Sequence, residues 1–262
     1  MAVFALSFSA SLLAAELHRE KETQDVAPRF QVVRGKGWSV CERYARFLNA
    51  QPPAESPPLC HLQLSPEVKE PDWEVLDIQK HLNVIYLIEH PPYKAATNPD
   101  KPPPSFERWQ QDFWQRQSEG QSPRLRRTHL ALAEGGPVET ILAYEADQNR
   151  CDRAVRENGY DFRGGGGGFA LWNERLGKID DYQSMLAFLP GTPSRLVLFH
   201  GRPFMVWVAW GNMSTTPQRR FEMRIGVHQF LYLPNMGEPY GQSERCQISF
   251  PLPSNIVERM AK

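Results

Sequence analysis

Arg195-Leu-Val-Leu-Phe-His-Gly-Arg-Pro-Phe-Met-Val-Trp-Val-Ala-Trp210 sets two apolar runs, Leu196–Phe199 and Phe204–Trp210, on either side of the polar connection His200-Gly201-Arg202-Pro203. Glycine supplies positive φ and proline restricts φ at a turn, so the stretch is expected to fold as a β-hairpin. On the second strand Phe204, Val206, Val208 and Trp210 face one way, and Met205, Trp207 and Ala209 the other. Both sets are apolar. Such a strand belongs in the interior of a sheet covered on both faces, with the aromatic helix Phe106–Trp114 or a second sheet as lid.

Working outward, the chain from about Arg124 reads as short strands separated by turn signals. Thr128–Ala133 and Val138–Tyr144 flank the turn Gly135-Gly136-Pro137 and form a second hairpin. Phe169–Trp172, Phe221–Leu233 and Cys246–Phe250 read as further strands, and Gly177-Lys178-Ile179 as a turn. The expected arrangement is an antiparallel sheet or small sandwich. Before residue 124 the pattern differs. Phe30–Val33 suggests a short strand. Ser39 and Glu42 are placed for a capping box, in which hydroxyl and carboxylate satisfy free backbone N–H groups at the start of a helix. Asp77 caps a second helix with Ile78, Leu82, Ile85 and Ile88 on one face, and Ser105 caps a third with Phe106, Trp109 and Phe113. Pro52, Pro53, Pro57 and Pro58 make a loop, Leu62–Trp73 reads as extended, and Pro99 to Pro104 form a connector. The whole is expected to be an α+β protein: a signal-like segment at 1–15, a Pro-rich helical part at 16–123, and an antiparallel β region at 124–262 on which that part packs.

The 262 residues suffice for a sizeable core. Thirty basic and thirty acidic residues balance to a formal charge of zero, which argues against binding nucleic acid through a strong overall basic field and leaves only a local basic patch open, so no nucleic-acid partner is expected. The opening MAVFALSFSASLLAAE is an apolar run ending in small residues, like the core of a secretory signal, though it lacks a basic start. It is too short to span a membrane comfortably, and no later stretch reaches that length, so no stable membrane insertion is expected. Cys41, Cys60, Cys151 and Cys246 show no metal-ligand spacing. In an exported chain they are expected as disulfides. Of the three pairings, Cys41–Cys60 with Cys151–Cys246 is expected. The first would close the Pro-rich loop, contributing roughly 3 kcal/mol by loop entropy; the second would tie the β region to its last strand.

Motifs for chemistry are sparse. Gly164–Gly168 is five glycines in a row, but a strand follows rather than a helix, so the frame of a phosphate-binding loop is missing and a surface loop is expected. Glu134 and Glu139, around Gly135-Gly136-Pro137, are too few carboxylates for a calcium loop. His61, His81, His90, His129, His200 and His228 are scattered, with no metalloprotease pair and no nucleophile elbow. Asp180-Asp181 reads as a surface loop. Trp172, Trp207 and Trp210 read as core, with a sugar-stacking platform as the alternative. The loops at Gly164 to Gly168 and at His200 to Arg202 remain as candidate contact loops. No cofactor or metal site is indicated, and no catalytic residue is assigned.

Gly35-Lys36-Gly37, Val40-Cys41-Glu42-x-Tyr44, Leu48-Asn49, Cys60, Pro71-x-Trp73 and Leu76-Asp77 resemble the N-terminal signature of a group of uncharacterised exported proteobacterial proteins. Gly136-Pro137-Val138-Glu139-Thr140-Ile141-Leu142 and Phe199-His200-Gly201-Arg202-Pro203-Phe204 are similar to later elements of that group, without the acidic first half of its turn. The resemblance implies export and a mixed fold and brings no activity. The functional expectation is a non-catalytic periplasmic or secreted protein acting through a protein partner, such as an inhibitor or immunity-type protein. The alternative is a hydrolase or sugar-active enzyme whose site assembles only in three dimensions.

Overall fold

The computed structural model describes residues 30–50, 67–92, 102–147, 167–188, 194–212, 221–233 and 240–251. The signal-like segment 1–15, the loop carrying Cys60 and His61, Cys151 and Gly164 lie outside them. The strands are β1 Gln31–Arg34, β2 Val68–Lys69, β3 Glu74–Leu76, β4 Arg124–Ala131, β5 Val138–Glu145, β6 Gly167–Asn173, β7 Lys178–Asp180, β8 Ser194–Phe199, β9 Arg202–Asn212, β10 Phe221–Tyr232 and β11 Tyr240–Pro251. The helices are α1 Ser39–Ala50, α2 Leu82–Glu89 (entered through a 3-10 turn, Ile78–His81), α3 Phe106–Ser118 and α4 Asp181–Ala187. Two antiparallel sheets result, one ordered β1-β11-β10-β9-β8-β2 and the other β3-β4-β5-β6-β7. The fold is α+β.

The hairpin forms with a tighter turn than its composition suggests. His200 (φ 50°) and Gly201 (φ 76°) alone make the connection, and Phe199 pairs with Arg202. Two successive left-handed residues give the type I′ geometry whose twist matches the flanking strands. Arg202 and Pro203 are therefore strand residues, not turn residues. Pro203 is tolerated because it precedes Phe204, the first β9 residue paired with β10.

β9 lies between β8 and β10, covered on both faces. Phe204 and Val206 pack with Tyr44, Ala45 and Leu48 of α1, whereas Met205 packs with Leu132, Ile141 and Leu171 of the second sheet. The aromatic helix is not the lid. Trp109 and Phe113 of α3 pack with Leu82 and Ile85 of α2 against Leu125 and Tyr144, on the outer face of the second sheet. The order through the molecule is α1, first sheet, second sheet, then α2 with α3. Part-buried polar contacts support this order: Tyr240 on β11 donates to Glu139 on β5 at 2.6 Å, joining the two sheets, and Trp109 Nε1 of α3 donates to Glu89 of α2 at 2.6 Å, joining the two helices of the outer layer.

Local chemistry explains most element ends. Asp77 accepts from the Gln79 N–H at 3.0 Å and Ser105 from the Arg108 N–H at 3.3 Å. At α1 the cap moves upstream: Trp38 C=O accepts from the Glu42 N–H, and the Glu42 carboxylate accepts from the Gly37 N–H at 3.4 Å. Two surface-loop expectations are corrected. Gly167 and Gly168 belong to β6, paired with Glu145 and Tyr144, and Gly168 lies under Ile88 of α2, where even a Cβ would make only an ordinary 3.5 Å contact. Asp180 ends β7 and caps α4, accepting from the Gln183 N–H at 3.0 Å, with Asp181 in the first helical turn.

The disulfide joins Cys41 to Cys246, with Cα atoms 5.9 Å apart. This replaces both expected pairings. β1 pairs with β11 and leads directly into α1, which carries Cys41 over the face of β11 where Cys246 is buried. The link closes 205 residues of sequence separation rather than the Pro-rich loop.

Candidate interaction site

The segment between β1 and α1 builds the most distinctive surface feature. On β11, Cys246 stands opposite Val227 and Glu244 opposite His228, so Arg245 is the extra residue of a β-bulge. Bulges re-aim side chains, and this one turns Arg245 toward the incoming chain. Gly35 passes against the bulge with φ +77°, and a Cβ there would overlap the Arg245 carbonyl oxygen. Only glycine fits both demands. The turn closes with the Trp38 N–H donating to Gly35 C=O at 3.3 Å. Trp38 then receives the Arg245 guanidinium over its ring, 4.3 Å from the centroid. Arg245 Nε donates to Gln229 at 2.8 Å, and Arg34 pairs with Glu244 at 3.1 Å.

This corner is exposed yet held. Trp38 keeps 46% of its surface exposed and Val33, on β1, 48%. Trp38 lies three residues before Cys41, and Arg245 adjoins Cys246, so the disulfide clamps both backbones. A cation–π pair at an exposed site is worth about 0.5–1 kcal/mol, a modest term added to the turn, the bulge and the covalent link. The chemical product is a preorganised aromatic–guanidinium surface. Trp and Arg are the residue types that most often carry the binding energy of protein interfaces.

The sequence-derived candidates disperse. At the hairpin tip, Arg43 of α1 donates to His200 Nε2 at 2.9 Å and lies 3.6 Å from Glu67, while Arg202 reaches Glu134 at 3.5 Å. Gly168 sits in the other sheet under α2, away from the hairpin tip, and Gly164 to Gly166 lie outside the described residues. Trp172 packs under α2 on the second sheet and Trp207 lies on the first, so they share no stacking platform; the Trp210 side chain lies outside the described residues. Glu134 and Glu139, the carboxylates of the glycine turn, bind different partners, Arg202 and Tyr240. Among the described residues no group of three or more His, Cys, Asp or Glu is arranged to hold a metal.

Two histidines have instructive surroundings. His228 sits on β10 edge-on to Trp207, with centroids 5.8 Å apart, and neither ring nitrogen has a hydrogen-bond partner; Glu244 is 3.8 Å away. Burial pushes its pKa down, opposed by Glu244 and Gln242. His129, Thr140 and Glu174 form a chain across the second sheet: the Thr140 hydroxyl donates to Glu174 at 2.9 Å and lies 3.1 Å from His129 Nδ1. Since the hydroxyl proton is committed to Glu174, His129 Nδ1 donates to the threonine, and Thr140 is not aligned as a nucleophile against a histidine base.

Sequence reasoning passed over Trp38, Val33 and Arg245. The available signal was Gly35-Lys36-Gly37, a turn immediately before an exposed-type Trp and a cysteine; the bulge that supplies Arg245 has no local signature. Comparison with protein-family models, with curated proteins and with solved structures gives no match.

Proposed function

We propose that this is an exported, non-catalytic protein that acts through a protein partner, as an inhibitor or immunity-type protein does, and that the Trp38–Arg245 corner is its contact site. The observation that carries the reading is the exposed Trp38 stacked with Arg245 on a backbone anchored by the Cys41–Cys246 disulfide. Preorganisation of this kind reduces the entropy lost on association. The same disulfide supports export, because such bonds persist in oxidising compartments. No helix among the described residues is long and apolar enough to cross a membrane.

The test places a photo-crosslinking amino acid at position 38, and separately at exposed Leu176 as control, in protein secreted by its native host. The expected result is one discrete adduct from position 38, absent from position 176 and lost with Arg245→Ala. Trp38→Ala is expected to weaken the complex by about 2 kcal/mol, roughly thirtyfold in Kd, while lowering folding stability by only about 1 kcal/mol, the order of the cation–π pair it removes. Equal labelling from both positions, or none from position 38, refutes the assignment.

A further inference from the structure

We infer that the partner is an acidic protein segment where it meets this corner, carboxylates flanking an apolar side chain; the inference rests on the contact reading above. The whole chain is charge-balanced, but residues 31–46 are not: Arg34, Lys36, Arg43 and Arg46 stand against Glu42 alone. The bulge adds Arg245. The carboxylates nearby are already engaged. Glu244 holds Arg34 at 3.1 Å and accepts from Gln247 at 3.0 Å, Glu67 lies 3.6 Å from Arg43, and Glu42 accepts from the Gly37 N–H.

Three cations keep capacity for an outside anion. Lys36, in the turn before Trp38, is exposed with no carboxylate partner among the described residues, and so is Arg46, about two turns along α1. Arg245 uses only Nε internally, on Gln229, which leaves the two terminal nitrogens of its fork for a carboxylate. A guanidinium resting on an indole is oriented and partly desolvated, and bidentate pairing with a carboxylate is then its strongest interaction. The exposed 46% of Trp38, beside the Arg245 guanidinium and two residues after Lys36, offers an apolar side chain a place to pack. Acid, apolar, acid is the complementary pattern. A protein segment supplies it; inorganic polyphosphate supplies charge without the apolar element, and an oligonucleotide, whose bases also stack on indoles, is separated from it by competition.

The probe is a fluorescent dodecapeptide of alternating Glu and Val, measured by anisotropy with the full chain and compared with its Lys-for-Glu counterpart. The Glu peptide is expected to bind and to weaken about tenfold from low to high salt. Lys36→Glu and Arg245→Glu are each expected to weaken it about tenfold or more, and Trp38→Ala likewise, with Arg175→Glu on the other sheet as a neutral control. Equal binding of the Lys peptide, insensitivity to both charge reversals, or displacement of the Glu peptide by oligothymidine or phosphatidylglycerol vesicles overturns the inference. A partner crosslinked at position 38 through a non-acidic segment overturns it alone and leaves the contact reading intact; no crosslinked partner at position 38 overturns the contact reading itself.

Discussion

Gly226 on β10 leaves the space that the Trp207 indole fills. A Cβ at 226 would overlap ring atoms of Trp207, its cross-strand neighbour on β9. Gly226→Ala is therefore expected to lift the indole and destabilise the fold by about 1–3 kcal/mol, read as a lower urea midpoint; an unchanged midpoint would mean the indole is free to move. The same indole helps bury His228. Because burial lowers its pKa from 6.5, the folded protein holds the ring neutral where the unfolded chain protonates. The unfolded state then binds more protons, so this contribution to stability is complete above pH 6.5 and is lost as the pH falls from there toward the lowered native value. The groups facing the ring are Glu244, Gln242 and Trp207, with Arg34 behind Glu244. His228→Gln is expected to flatten the stability profile below that pH. A variant with the wild-type acid slope would place the titrating group elsewhere.

At the scale of elements, what could be read depended on how local the cause was. The hairpin and the helix capped by Ser105 follow from residues next to one another in sequence, and both form; Asp77 caps a 3-10 turn, from which α2 continues at Leu82 without a side-chain cap. α4 was hidden because seven residues give little periodicity, although Asp180 is an ordinary cap. β3 is three residues and owes its strand state to pairing with Arg126 and its neighbours on β4. The cysteine pairing was least legible of all, since proximity of Cys41 and Cys246 depends on β1 pairing with β11 across nearly the whole chain. That distance also makes the bond valuable. Closing a loop of this length restricts the unfolded chain by about 5 kcal/mol, so Cys41→Ala is expected to lose most of that stability under non-reducing conditions. A non-reduced digest is expected to yield the Cys41 peptide joined to the Cys246 peptide. Recovery of Cys41 joined to Cys60 would instead restore the loop-closing arrangement and detach the Trp38 corner from its anchor.

Which strands join which sheet is a property of the whole molecule, and no local pattern announces it: Phe204–Val206 and Ile141–Ala143 look alike in sequence yet lie in different layers. The layers are keyed by polar contacts between them, and among the described residues one network centres on Arg126. Its guanidinium donates to Glu70 at 3.0 Å and Glu145 at 2.7 Å, lies 4.9 Å from the Trp73 ring centroid, and through Glu70 is linked to Arg195 of β8 at 3.5 Å. The chain Glu145–Arg126–Glu70–Arg195 thus runs from the second sheet to the first. With the Arg126 side chain 11% exposed and Glu70 25%, solvent screens this pair far less than Arg127–Glu74, between β4 and β3, where the values are 34% and 57%. The two pairs have similar distances, 3.0 and 2.7 Å, so contact alone does not rank them. Burial does. Removing Arg126 leaves carboxylates with reduced access to water, and Arg126→Met is expected to cost about 3 kcal/mol, relieved in part by Glu70→Gln in the same chain. Double-mutant cycles are expected to give a coupling well above 1 kcal/mol for Arg126 with Glu70 and at most about 0.5 kcal/mol for Arg127 with Glu74. Equal couplings would show that the sheets are held by their shared apolar core, through Ile141, Leu171, Leu196 and Met205, without an electrostatic key.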